Sequence, residues 1–169
     1  MPWWLNYNRN DDVACNVLLF LPASKGKSVL TKAVSVNEFV LELREDGPRL
    51  KGGRCRACGN HTFPSVPGCA QCTGTDIEAV TLGSTGILWG WTVQGFPPKS
   101  PPYLGDNNPE TFKPFGVGYV ELPELIIEAR LTEAEPVKLN EGMPMKLVVE
   151  PLFTSDEGNT VMTYAFAPI

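Results

Sequence analysis

One histidine, His61, is the whole imidazole content of this 169-residue chain. It lies three positions beyond Cys58, and spacing ties no serine or cysteine nucleophile to it, so it reads as a structural or surface residue rather than a base or a ligand. The acidic residues are scattered over strand faces and turns, with no pair set for acid–base work. Positive charge is scarce too: 14 Lys and Arg against 19 Asp and Glu give a formal net charge of −5. Nucleic-acid affinity rests largely on phosphate neutralisation, so this balance argues against a general polyanion binder. Long apolar runs are missing as well. The best candidate, Val13 to Pro22, is far short of the ~20 residues of a membrane span. It follows Asp11 and Asp12 rather than a basic region and is interrupted by Asn16, which makes it a poor secretory signal.

Cysteine is present in an informative pattern. Cys55-Arg-Ala-Cys58 is followed, after a ten-residue gap, by Cys69-Ala-Gln-Cys72. A two-residue gap lets both sulfurs of a pair reach one ion from a single tight turn, and Gly59 and Gly74 are expected to let each turn close. Two such knuckles make a closed tetrahedral site, the structural zinc ribbon; iron in a rubredoxin-like site uses the same spacing. Two disulfides, or a redox CxxC pair, are the competing readings. The matched pairs, and the lack of a strand–CxxC–helix pattern, favour the metal. Four protein ligands leave no position for an activated water, so the metal is expected to hold shape. Filling the site with a divalent ion makes the chain two charges more negative. Cys15 remains a free thiol with no activating neighbour in sequence. Free thiol and thiolates together suit a reducing compartment, so the expected location is the cytoplasm, away from membranes.

Three stretches follow from the patterning. Residues 1–34 are an extension carrying Trp3, Trp4 and the run Val17 to Leu21. Residues 35–80 are a helix plus the ribbon. Ser35-Val36-Asn37-Glu38 reads as a capping box, and Val36, Phe39, Val40 and Leu43 form a helical stripe before the stop at Gly47-Pro48. Residues 81–169 change period to two. Five strands are expected: around Ile87 to Val93, Val117 to Glu121, Leu125 to Leu131, Met145 to Val149 and Val161 to Phe166. Five antiparallel strands in this length make a small closed barrel, for which the OB-fold is the commonest solution, with a long first strand bent at its glycines. The expected class is therefore mainly β: an N-terminal helix, a four-cysteine zinc ribbon and a five-stranded OB-fold barrel. Residues 95–114, with six prolines, cannot pair inside a sheet and form a long loop, read as a partner-docking or channel-lining arm.

The segments CRACG…CAQCTGTD and GSTGILWGWTV, in the order helix, ribbon and barrel, resemble the DUF35 family over residues 36–169. The resemblance implies a rubredoxin-like zinc ribbon plus OB-fold, and a non-catalytic accessory subunit of a thiolase-fold acyl-CoA enzyme. Such subunits occur with acetoacetyl-CoA thiolase/HMG-CoA synthase assemblies, steroid side-chain aldolases, phloroglucinol acetyltransferases and the benzoylsuccinyl-CoA thiolase. It further implies a hetero-oligomer with the thiolase-fold catalytic subunit, which performs the chemistry, and a coenzyme A thioester held at a site shared with it.

Beside the ribbon, Lys51, Arg54 and Arg56 either compensate the cluster's negative charge or form a local positive patch for the phosphates of coenzyme A. Trp89 and Trp91 are spaced to share a face and are expected to fill the barrel core, with docking the alternative. Phe96, Tyr103 and Phe112 give the proline-rich loop something to bury and complete the candidate partner interface. A module binding single-stranded nucleic acid is the alternative function, since ribbons and OB-folds both serve it.

Overall fold

The computed structural model describes residues 32–99 and 103–169. Trp3, Trp4, Cys15 and the run Val13 to Pro22 lie outside them. Ten strands carry the fold: β1 Ala33–Ser35, β2 Leu41–Glu42, β3 Arg49–Cys55, β4 His61–Thr62, β5 Ile77–Thr81, β6 Thr85–Gln94, β7 Phe115–Glu121, β8 Ile126–Leu131, β9 Pro144–Thr154 and β10 Thr160–Pro168.

The five strands read from the period-two segments are β6 to β10. They pair in the cycle β6–β7–β8–β10–β9 and return to β6, with β10 parallel to β8 and the other contacts antiparallel. This closed cycle is the expected barrel. The alternation that revealed β8 is literal: Ile127, Ala129 and Leu131 are buried, while Ile126 and Glu128 face out. Inward residues of all five strands meet at Leu88, Val120, Ile127, Met145, Tyr164 and Phe166. The proline-rich segment leaves the sheet between β6 and β7, as proline requires.

The helix expected after Ser35 does not form; no α-helix occurs among the described residues. Ser35 ends β1, which pairs in parallel with β10, and the Val36 amide continues the pairing by donating to the Met162 carbonyl. A single turn follows, in which Val40 and Leu41 amides both donate to the Asn37 carbonyl. The Ser35 hydroxyl is used locally: its oxygen accepts from the Asn37 amide and its O–H donates to the Leu41 carbonyl. Burial explains the outcome. Phe39, on the supposed helical stripe, is 79% exposed, whereas Leu41, off it, is fully buried opposite Leu50. A helix would reverse those two positions and forfeit the strand pairing, so tertiary burial overrides the local capping signal.

Ribbon and barrel share one apolar cluster. Val40, Leu41, Leu43, Leu50 and Leu82 join the barrel's inward residues, and the Leu82 amide donates to the Leu50 carbonyl. The strand β10 has two edges. Along its whole length β9 takes one; on the other, β1 pairs with Thr160–Met162 while β8 pairs only with Ala165 and Phe166.

Candidate metal centre

The sheet β2–β3–β4, with β5 also on β3, sets up the cysteines. Cys55 is the last residue of β3, paired with Ile77 of β5. From there the two knuckles are built alike. In the first, the Cys55 amide donates to the Asn60 carbonyl and the Gly59 amide to the Cys55 carbonyl. In the second, the Cys69 amide donates to the Gly74 carbonyl and the Thr73 amide to the Cys69 carbonyl.

The fourth residue after each leading cysteine must turn left-handed. Gly59 does so at φ 77°, but its counterpart is Thr73 at φ 60°, not the expected Gly74. Gly74 instead makes room for the sulfurs. A Cβ there would stand 3.3 Å from Cys72 Sγ, crowding it, and 3.7 Å from Cys55 Sγ, in contact with it. A side chain in the left-handed region costs about 1–2 kcal/mol, against roughly 0.5–1 kcal/mol of extra chain entropy for glycine. Thr73→Gly is therefore expected to stabilise the protein by up to ~1 kcal/mol in a urea melt, with metal content unchanged.

All four sulfurs lie within 4.8 Å of one another, with Cys55–Cys72 at 3.6 Å and Cys58–Cys69 at 3.5 Å. A tetrahedral ion with Zn–S bonds of about 2.3 Å needs sulfurs about 3.8 Å apart, whereas a disulfide needs about 2.05 Å. The cysteines are free, and the spacing fits an ion held in common. Cys55 and Cys69 are buried, Cys58 and Cys72 exposed.

The four thiols set one another's protonation. Amides of Cys72 and then Gln71 donate to Cys69 and, with help from neighbouring thiols, bring it down to about 6. The Asn60 amide also lowers Cys58, but the Cys72 sulfur above all, then partial desolvation and the Cys69 and Cys55 sulfurs, outweigh it and push it up to about 12. Four thiolates cannot share this space without a cation.

His61 stands on β4 opposite Arg54 and is not one of the sulfur site's donors. Arg56 Nε lies 3.2 Å from Glu78 and 3.9 Å from Asp76, and Arg54 contacts Glu78 at 3.4 Å. Two of the three cations beside the ribbon are thus held by carboxylates of the adjacent strand and turn. The third, Lys51, sits on β3 opposite Thr81.

The five aromatic candidates do not form one surface. A bulge between Leu88 and Gly90 puts an extra residue into β6. Trp89 is turned out, 56% exposed, while Trp91 two residues on packs against the core. The spacing of the two tryptophans promised a common face; the inserted residue shifts the phase between them. In the proline-rich loop, Phe96 is exposed but Tyr103 is buried. The Tyr103 ring stacks on Phe115, and its hydroxyl accepts from Arg130 Nη1 at 3.1 Å. Arg130 lies 3.9 Å over the Phe115 ring and pairs with Glu150, while Phe112 meets Phe115 edge-on. The loop is thereby pinned to the outer wall of the barrel. A pocket of about 50 Å³ remains between Tyr103, Val117, Arg130, Leu152 and Tyr164, room for a few waters. Sequence reasoning missed Arg130 because its partners are scattered from residue 103 to residue 150.

No helix among the described residues is long and apolar enough to cross a membrane. Comparison with known proteins agrees with ribbon and barrel. Residues 46–78 match the ChsH2 rubredoxin-like zinc ribbon domain, and residues 79–150 match the ChsH2 C-terminal OB-fold domain. A DUF35 domain-containing scaffold protein of Pyrococcus furiosus is 31% identical, over 82% of this chain and 96% of its own. The benzoylsuccinyl-CoA thiolase subunit BbsA of Thauera aromatica is 32% identical, over 77% of this chain and 85% of its own. A chain of the solved Ltp2-ChsH2(DUF35) aldolase superposes with a TM-score of 0.53 at 28% identity, covering 71% of this chain and 84% of that one. With its ribbon donors, closed barrel and relatives in agreement, the chain belongs to the DUF35 family of zinc ribbon plus OB-fold proteins.

Proposed function

We propose that this protein is the non-catalytic, zinc-bearing accessory subunit of a thiolase-fold enzyme acting on acyl-CoA thioesters. The observation that carries the reading is the saturated sulfur site. Its four donors come from the protein, and β3, which ends in Cys55, also places Leu50 in the apolar cluster shared with the barrel. A metal so enclosed braces a surface. The names of the relatives supply the class of partner: a thiolase subunit and an aldolase complex.

The reaction, formation or cleavage of a carbon–carbon bond on the thioester or acyl transfer, belongs to the partner. The thioester lies at a site that this subunit helps to enclose. Coenzyme A phosphates would meet Lys51 first, since Arg54 and Arg56 are already engaged by Glu78 and a phosphate must compete with that carboxylate. The tagged full-length chain, purified from its native cells, is expected to bring down one thiolase-fold protein in fixed stoichiometry, identified by mass spectrometry. Recovery of zinc-loaded protein with no thiolase-fold chain would overturn the reading.

A further inference from the structure

Exposed large apolar side chains gather on one wall of the barrel. In the register of β6, β7 and β8, Ile87 stands opposite Glu121, which stands opposite Ile126. One step along, the bulged Trp89 meets Tyr119 edge-on at 6.3 Å, and Tyr119 stands opposite Glu128. All six side chains point away from the core. Ile87, Trp89, Tyr119 and Ile126 are each between 42% and 56% exposed. Four large apolar groups on adjacent strands form a patch of the kind that marks an interaction site.

The charges in the patch select what can cover it. Both ionisable groups between the apolar residues, Glu121 and Glu128, are carboxylates. Arg130, two residues beyond Glu128 on β8, is committed to Glu150. Lys146 lies at the lower edge, opposite Thr85. A single-stranded nucleic acid would find stacking platforms in Trp89 and Tyr119 but would bring its phosphates to two carboxylates. A second copy of the chain, packed face to face, would bury four carboxylates without added positive charge. A protein surface that is apolar at its centre and edged with Arg or Lys satisfies both the aromatic groups and the carboxylates.

We propose that the outer face of β6–β8, centred on Trp89 and Tyr119 with Glu121 and Glu128 between the apolar groups, is where the thiolase-fold chain docks, through an apolar patch flanked by basic residues. This rests on the function proposed above and assigns its interface. The bulge separates the two tryptophans: alternation from the buried Leu88 turns Trp89 onto the wall, and the extra residue returns Trp91 to the core.

The test uses the full-length chain and the thiolase-fold protein identified with it, bound at low and high salt. The double variant Trp89→Ala/Tyr119→Ala alters exposed side chains only, so zinc content and melting should stay as in the parent. Its affinity for the partner is expected to fall at least tenfold. Glu121→Lys/Glu128→Lys is expected to slow association and to flatten its dependence on salt. Val137→Ala, at an exposed site away from the patch, should bind as the parent does. If the parent binds no thiolase-fold chain, the function and this interface fall together. If the parent binds and the patch variants bind equally well, the interface assignment alone is wrong. Parent-specific dimerisation at high concentration, or binding of a thymidine oligonucleotide at low salt, that disappears in Trp89→Ala/Tyr119→Ala would likewise overturn it.

Discussion

Cys55→Ser is expected to abolish stoichiometric zinc binding and to lower the melting temperature by about 10 °C or more. Serine at the end of β3 leaves three sulfurs around an ion that needs four, and the remaining thiols reprotonate. Structural zinc in small ribbons contributes on the order of 10 kcal/mol at neutral pH, comparable to the whole stability of a domain. Here the loss is expected to be several kcal/mol, because β3 retains its pairing with β2 and β5 and the barrel supplies a second body of buried surface. Damage should nevertheless reach the barrel, since Leu41, Leu50 and Leu82 pack in the same cluster as Phe166 and Tyr164. Metal analysis by mass spectrometry and a thermal melt check both parts. His61→Ala is the informative companion: it should keep one zinc per chain, because His61 is outside the sulfur site. A Cys55→Ser protein with full zinc and parental melting would show that the four sulfurs do not hold the ion together.

Phe166→Ala is expected to cost about 3–5 kcal/mol, read from the shift of a urea unfolding curve. Phe166 is the largest fully buried side chain among the described residues. Its backbone matters as much. β8 and β10 are in ladder register only at Ala165↔Arg130 and Phe166↔Leu131, and the Phe166 carbonyl also accepts from the Thr132 amide. The cavity therefore opens beside the weakest seam of the barrel. Increased amide exchange is expected at Ala129, Arg130 and Leu131 before the rest of the sheet responds. A change below ~1 kcal/mol would mean that the seam relaxes to fill the space.

Much of this fold was legible in the sequence because the governing interactions are local or periodic. The cysteines announce themselves by spacing, since one ion can be reached from a tight turn only in that way. The five barrel strands announce themselves by alternation, because burial on one side repeats every second residue. Most of the failures involve a distant partner. Ser35 to Leu43 has the marks of a helix, yet the Val36 amide is claimed by Met162 and Leu41 by Leu50, neither visible from the local pattern. Trp89 and Trp91 part company because of an inserted residue that spacing cannot reveal. Arg54 and Arg56 looked like spare charge until β5 brought Glu78 alongside β3. Tyr103 found its place through Arg130 and Phe115, on two other strands.

Ala33 lies against Thr160, and Ser35 against Met162. A ribosome delivers those partners more than a hundred residues apart, so β1 must wait for its ladder until Thr160–Met162 has emerged. The sulfur knuckles, closed over less than twenty residues, can load their ion long before that. Synthesis thus imposes an order: the metal-bound piece can be finished while the wall beside it still gapes, and β10, made later, fastens β1 to the rest.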